Sequence, residues 1–457
     1  MKWWKFQNVY LKEKWIGASY LQVDKSGKIL KYSKTPPSEK FEEVAGYLIP
    51  GFRNAHSHAF QYLMAGLTEY LPKGRSGDDF WSWRNLMYDF ANRIGPEQLE
   101  AIATMAYSEM LRMGITSVAE FHYLHHDLKG RPYKNIAEMS SRLLSAAKNA
   151  GINITLLPVF YQRADFNTEA HKSQRRFISS TIEKYFRILE ATQIAVKSDT
   201  SFSLGVCIHS LRAVAKEDIL EVFKNTQKTL PAHIHIAEQE KEVKSCLAHY
   251  KKRPVEWLLD NLDLNDRYHL VHATHMNAKE TKNLAKSGAN AVICPSTEGN
   301  LGDGFFNFLE FHRHNGSFSI GTDGHFNLNP LEELRLLDYG QRLKYQKRNL
   351  VCLKEGEESG EVLFQKTLKA GCLAMGKSDV GPLEPGSFFD AVVIDPQHPV
   401  ICGLKPKKIL SAIIFSGDPS IYLGTITKGN WVVKNGRHAK YSKILNTYLQ
   451  VKLEIIK

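Results

Sequence analysis

Short apolar runs alternate with amphipathic stretches through the middle of the chain, while both ends show a different, strand-and-turn texture. Eight runs can be counted: Tyr47-Leu48-Ile49-Pro50, Ser117-Val118-Ala119-Glu120-Phe121, Ile154 to Phe160, Ser203 to Ile208, Ala232 to Ile236, His269-Leu270-Val271, Ala291-Val292-Ile293-Cys294 and Phe318-Ser319-Ile320-Gly321. Runs this short and this apolar suit strands buried on both faces. Helical stretches lie between them. Pro96 to Met113 opens on Pro-Glu and ends beside Gly114, and Ala215 to Lys228 is another. Eight such alternations predict an α/β fold, a (β/α)8 TIM barrel, better than they predict an open doubly wound sheet.

The first 50 residues are rich in β-formers from Val9 to Val23, with a turn signal at Asp24-Lys25-Ser26-Gly27-Lys28. The last 70 or so repeat that texture: Asp390 to Asp395 alternates into a strand, and Gly429 to Gly436 reads as a strand entering a turn. Neither end is long enough for a core of its own. The expectation is one composite β-sandwich domain of 1–48 with 385–457, attached to a catalytic barrel of 49–384.

Composition narrows the class. The 457 residues are 43% hydrophobic and 24% charged, as in an ordinary globular protein. The longest apolar runs, such as Ile152 to Phe160, are too short for a bilayer. Met1 to Phe6 has no secretory pattern. Six cysteines are scattered without a Cys-x-x-Cys pair, which predicts reduced thiols in a cytoplasmic protein and no structural zinc knuckle. The formal charge of +12 invites a nucleic-acid reading. The lysines are interleaved with acids, as in Glu238-Gln239-Glu240-Lys241-Glu242, and no basic block stands beside a stacking motif. A basic surface that attracts small anions is the better expectation. No Gly-x-Gly-x-x-Gly follows the first run and no Walker phosphate loop occurs, so nucleotide-cofactor folds lose support.

Ionisable residues gather at the carboxyl ends of the runs, where a barrel places its active site. Run one is followed by Asn54-Ala55-His56-Ser57-His58, and residues two apart on extended chain face the same way. Among 18 histidines a His-x-His pair alone means little. Its company means more: His233-Ile234-His235-Ile236-Ala237-Glu238 after run five, Val271-His272-Ala273-Thr274-His275 after run six, Gly321-Thr322-Asp323-Gly324-His325 after run eight. Strands one, five and eight can supply two, one and one ligands (His56, His58, His235 and Asp323) and leave a position for water. Three imidazoles and a carboxylate suit Zn2+, with Fe2+ or another divalent ion left open. His233 shares a face with His235, so either can ligate. His275 and His325 are supporting or solvated residues. Asp323 has an alternative as a helix N-cap ahead of Leu331 to Leu337. His122, His125 and His126 read as loop histidines, since no strand geometry converges them on a second metal.

The order His56-x-His58, His235-x-x-Glu238, His272, Asp323 resembles the amidohydrolase superfamily, in particular its single-metal deaminase branch, over nearly the whole chain. That resemblance implies a metal-dependent hydrolase barrel in which Asp323 takes a proton from water, Glu238 shuttles protons and His272 orients the water. Binuclear members carry a carboxylated lysine near the end of strand four. Here that place reads Cys207-Ile208-His209-Ser210-Leu211-Arg212, with no lysine until Lys216, so one ion per chain is implied.

Longer segments are similar to the formimidoylglutamate deiminase family within that branch. They are His56 to Gln61, Phe80 to Tyr88, Ala119 to Asp127, His209 to Val214 and Ser296 to Gly304; Gly299 stands where that family leads one to expect alanine. The resemblance implies hydrolytic deimination of N-formimino-L-glutamate to N-formyl-L-glutamate and ammonia, in histidine degradation. It also implies a substrate site of Gln61, Arg84, Tyr123, His209 and Arg212, and a homodimer. A dicarboxylate substrate agrees with two arginine forks on the catalytic side. Surface ion pairs are the plainer account of those arginines; Tyr123 and Trp81 read equally well as core aromatics, and Trp83 reads as one. Two other readings stay open: a deaminase acting on guanine, cytosine or an adenosine derivative, and an inactive barrel used as a scaffold, although no motif position is lost.

Overall fold

The computed structural model describes residues 1–71, 77–376 and 381–456. Eight parallel strands form the barrel in chain order: Phe52–Ser57, Ile115–His122, Asn153–Phe160, Val206–Ile208, Ala232–Ile236, Tyr268–His272, Asn290–Ile293 and Ser317–Ile320. The first and last meet at the mouth. Thr322 N and Asp323 N donate to His56 O at 3.0 and 3.1 Å, and His58 N donates to Asp323 O at 3.2 Å. These bonds bring the barrel close to closure and place both metal-ligand segments side by side. Run four is split at Gly205, with Phe202–Leu204 pairing only with the third strand. A Cβ at Gly205 would lie 2.3 Å from Leu157 Cδ2, so only glycine lets the chain pass that close.

The intervening helices carry their own start and stop signals. Pro96–Arg112 begins with proline at its first position and ends before Gly114 at φ +87°. In Ala278–Ser287 the Asn277 side chain accepts from Glu280 N at 2.9 Å, and the Glu280 carboxylate accepts from Asn277 N at 2.9 Å. Gly288 closes that helix at φ +84°.

Both ends of the chain enter one nine-stranded sheet. Its order is Arg437–His438, Asn430–Lys434, Tyr422–Thr427, Ala391–Ile394, Phe41–Pro50, Lys2–Leu11, Ser19–Val23, Ile29–Ser33, with Lys14–Ile16 beside Lys2–Leu11. Trp4, Phe6, Leu21 and Leu48 from one end pack with Phe389, Val393 and Ile426 from the other.

Two expectations change. Tyr47 to Pro50 belongs to this terminal sheet, and the first barrel strand is Phe52–Ser57. The chain crosses between the two at Gly51, where an added Cβ would meet the Thr116 side chain at 2.2 Å. The true first strand carries polar residues: Arg53 Nη1 donates to Thr116 Oγ1 at 3.1 Å and Asn54 Nδ2 to Thr322 Oγ1 at 2.7 Å. A search for apolar runs passes over such a strand. The C-terminal part is also not all β. Ile409–Ser416 and Tyr441–Ile456 are helices. Ile444, Tyr448 and Ile455 give the latter a buried stripe, and its end is tied to the barrel by Arg93 Nη1 donating to Ile455 O at 3.2 Å. Among the described residues no helix is long and apolar enough to cross a membrane.

Candidate active site

The four expected ligands converge. His56 and His58 end the first strand, His235 lies near the end of the fifth, and Asp323 follows the eighth. All four are buried, and one ligand atom from each lies within 4.8 Å of the others. His56 Nε2 is 3.1 Å from His58 Nε2 and 3.1 Å from His235 Nε2. Asp323 Oδ1 stands 3.3 Å from His56 Nε2 and 3.1 Å from His58 Nε2.

Tautomers decide what this cluster wants. His58 Nδ1 faces Phe121 O at 2.9 Å and His235 Nδ1 faces His209 O at 3.1 Å, so each of these ring nitrogens donates. Their Nε2 atoms then carry lone pairs toward a common point that Asp323 Oδ1 also faces. Burial holds His56 down to about 3 and keeps His235 well below the ordinary histidine range, so both rings are neutral. Although burial opposes it, the adjacent His56 and His58 rings keep the Asp323 carboxyl well below its usual range. Several acceptors aimed at one place fit a cation, and three imidazoles with one carboxylate are a donor set for a divalent metal.

The open alternatives resolve from the same geometry. His233 Nε2 faces Ala374 O at 2.9 Å, one pleat deeper in the barrel, so the fifth strand offers His235. The helix after Asp323 starts at Pro330 and is capped by Asn329, whose side chain accepts from Leu331 N at 3.1 Å. Asp323 therefore does not cap it. Its φ is +40°, and Ala237, His272 and Ala273 also have positive φ. Non-glycine residues in this region are strained, and here they gather where the strands present their site residues.

A second layer surrounds the cluster. His272 Nε2 is 3.7 Å from Glu238 Oε1 and 3.8 Å from Asp323 Oδ2, while its Nδ1 faces Glu298 Oε1 at 3.2 Å. Burial works against the charged ring, yet Glu238, Glu298 and Asp323 push His272 up to about 10. Burial raises the Glu238 carboxyl, an effect that His272 partly offsets. Glu298 was not assigned a role from sequence, although it lies in the idiosyncratic Ser296 to Gly304 segment. Glu120 was missed as well. Its carboxylate accepts from Ser57 Oγ at 2.6 Å and from Ala59 N at 2.6 Å, which fixes the turn after His58.

Beside the cluster is a pocket lined by Gln61, Arg84, Tyr123, His209 and Arg212, the five expected substrate residues, together with Glu238 and His272. Gln61 Nε2 donates to Tyr123 OH at 3.0 Å, leaving Gln61 Oε1 buried without a partner. Arg212 is buried and donates to Ala164 O at 3.2 Å. Arg84 has a buried Nε without a partner and lies against Trp81 and Tyr88. Among the described residues neither guanidinium has a carboxylate within ion-pair distance. The surface-ion-pair account of both arginines fails for that reason. Tyr88 and Tyr161, also in the wall, went unassigned. Gln174 Nε2 donates to Tyr161 OH at 2.7 Å and to Tyr88 OH at 3.2 Å.

The remaining histidines go elsewhere. His125 Nε2 faces Val159 O and His126 Nε2 faces Ile178 O, both at 2.9 Å. His122 ends the second strand rather than lying in a loop. His325 is buried and stands 3.2 Å from Ser57 Oγ and 3.1 Å from Thr322 Oγ1, a supporting position. Trp83 packs against the core as expected, although it also touches the pocket.

A (β/α)8 barrel with this donor set at its mouth defines the chain's class: it belongs to the amidohydrolase family, whose defining pattern matches residues 47–432. It is 40% identical over 451 residues to the formimidoylglutamate deiminase of Pseudomonas aeruginosa, covering 98% of each chain. The crystal structure of an amidohydrolase from Brucella melitensis superposes with a TM-score of 0.93 at 39% identity, over 100% of both chains. An adenosine deaminase from Xanthomonas campestris with bound zinc shares the fold, with a TM-score of 0.81 at 20% identity over 99% of this chain and 98% of that one.

Proposed function

We propose that this protein hydrolytically deiminates N-formimino-L-glutamate to N-formyl-L-glutamate and ammonia, using one divalent ion per chain, Zn2+ by its donor set. The observation that carries this reading is the pair of guanidiniums without carboxylate partners, Arg84 and Arg212, in one pocket with the His56, His58, His235 and Asp323 cluster. A buried positive charge left without an anion is costly, and a substrate with two carboxylates supplies the missing partners. Its amidinium end is positive and suits Glu238 and Asp323, which line the same pocket. The likeness to the P. aeruginosa deiminase supports the same substrate.

A divalent ion held by the four ligands supplies Lewis-acid activation of water. Asp323 uses Oδ1 toward the histidines, and its Oδ2, on the His272 side, is the acceptor for the proton that water gives up. His272, charged and anchored by Glu298, orients the water and stabilises the negative charge that develops at the attacked carbon's oxygen. Glu238, whose carboxyl burial pushes up, delivers a proton to the departing nitrogen. Ammonia leaves and the substituted nitrogen stays with the glutamate. Gln61, Tyr123 and His209 hold the formimino group and its chain between the two ends.

The same reading takes a cytoplasmic enzyme of histidine degradation, a homodimer, and a small dicarboxylate rather than nucleic acid or a membrane as its partner. It keeps the division into a composite β-domain of 1–48 and 385–457 and a barrel of 49–384, with the first boundary falling inside Phe41–Pro50. An adenine-type or other nucleobase substrate has no use for two guanidiniums, and likeness at 20% identity speaks only for the fold. The test is ammonia release from N-formimino-L-glutamate, guanine, cytosine and adenosine in parallel, with N-formyl-L-glutamate identified as product. Turnover of a nucleobase instead, or release of formamide and glutamate, overturns the proposal.

A further inference from the structure

Arg84 owes its place to aromatic contacts. Its Cζ lies 4.4 Å from the centroid of the Trp81 ring and 5.6 Å from that of Tyr88. Trp81 is one turn earlier on the same helix, Phe80–Ala91. A second cation reaches the same indole: Lys241 Nζ, three residues beyond Glu238, is 4.3 Å from its centroid.

Lys241 is exposed, and among the described residues it has no carboxylate partner even though Glu240 and Glu242 flank it. Glu240 pairs with Lys244 at 3.2 Å. Glu242 turns inward, accepting from Ala237 N and Glu238 N at 3.1 Å each. Two cations against one indole repel each other, and the ring's negative π-face is what holds each of them there. An anion arriving at Arg84 removes that repulsion and tightens the stack. The stack also joins the helix after the first strand to the segment after the fifth that carries Glu238, so occupancy at Arg84 is felt beside the reacting atoms.

We infer that Trp81 and Lys241 are positioning residues for Arg84, and that this Lys241–Trp81–Arg84 stack sets how tightly the pocket holds the substrate carboxylate that reaches Arg84. The inference rests on the reading of Arg84 as a carboxylate ligand. Steady-state kinetics on the metal-loaded protein test it with Trp81→Leu, Trp81→Phe, Lys241→Ala, Arg84→Met and the double variant Trp81→Leu/Arg84→Met. Trp81→Leu is expected to raise KM about ten-fold with a smaller change in kcat, and Trp81→Phe to recover most of it. Lys241→Ala raises KM a few-fold and flattens the salt dependence of kcat/KM. Trp81→Leu adds nothing in the Arg84→Met background.

A Trp81→Leu effect of equal size with and without Arg84, or a fall in kcat at constant KM, overturns the inference. So does an unchanged KM and salt dependence in Lys241→Ala, an exposed site whose substitution leaves folding intact. If the wild-type protein does not turn over N-formimino-L-glutamate, the substrate reading is what has failed. Calorimetric binding of glutarate then decides the stack by itself: Kd rises about ten-fold in Trp81→Leu, or the inference falls.

Discussion

Each side chain at the barrel mouth does its work through what its neighbours leave it. His58 and His235 spend one ring nitrogen on a backbone carbonyl and turn the other into the four-residue cluster with His56 and Asp323. Glu238 stands apart from that group. It pairs with His272 Nε2 at 3.7 Å, and it takes no part in the four-ligand cluster. Glu238→Gln is therefore expected to keep its full metal complement while kcat falls by about 10²- to 10⁴-fold, the usual worth of a general acid or base. Metal analysis and ammonia release on the same sample check this. Near-normal turnover would remove Glu238 from proton transfer.

Among the elements, the helix Phe80–Ala91 is the one on which the proposed substrate recognition hangs, because it carries Trp81, Arg84 and Tyr88. Its start is set by one residue: Asp79 Oδ1 accepts from Trp81 N and Ser82 N, both at 3.0 Å, and Ser82 Oγ returns a bond from Asp79 N at 2.9 Å. Losing such a cap costs about 1 kcal/mol. Asp79→Ala is expected to loosen this helix locally, raising KM several-fold while the global melting temperature moves little. Steady-state kinetics set beside a thermal melt distinguish this from general destabilisation. The strands behave differently from the helices when read from sequence. Pro96–Arg112 and Ala278–Ser287 announce themselves by proline, capping box and terminal glycine. The first barrel strand does not, because Arg53 and Asn54 stand at buried or half-buried strand positions where apolar side chains would ordinarily lie.

For the molecule as a whole, a divalent ion held by His56, His58, His235 and Asp323 would be a structural tie as well as a reagent. Its ligands come from the first, fifth and eighth strands, and the first and eighth are the pair that closes the barrel. Anything that binds the folded state alone stabilises it, by about 4 kcal/mol when present at a thousand times its Kd. Chelation is expected to abolish activity and to lower Tm by several degrees, and stoichiometric Zn2+ to restore both. A Tm unmoved by chelation would mean that the cluster holds no ion in the folded protein.

Much of this was written in the residue order. Seven of the eight barrel strands, His56-x-His58, His235, Glu238, His272 and Asp323 are local patterns, and local spacing determines strand faces and strand ends. The tertiary structure decided what depends on distance through space. It chose His235 over His233 by depth in the barrel, freed Asp323 from capping by seating Asn329 there, and moved Tyr47 to Pro50 into the terminal sheet. It also brought Glu298 to His272 and Lys241 to Trp81, contacts between residues whose separation along the chain carries no signal. Periodicity records which way a side chain points, and only the closed barrel records what it meets.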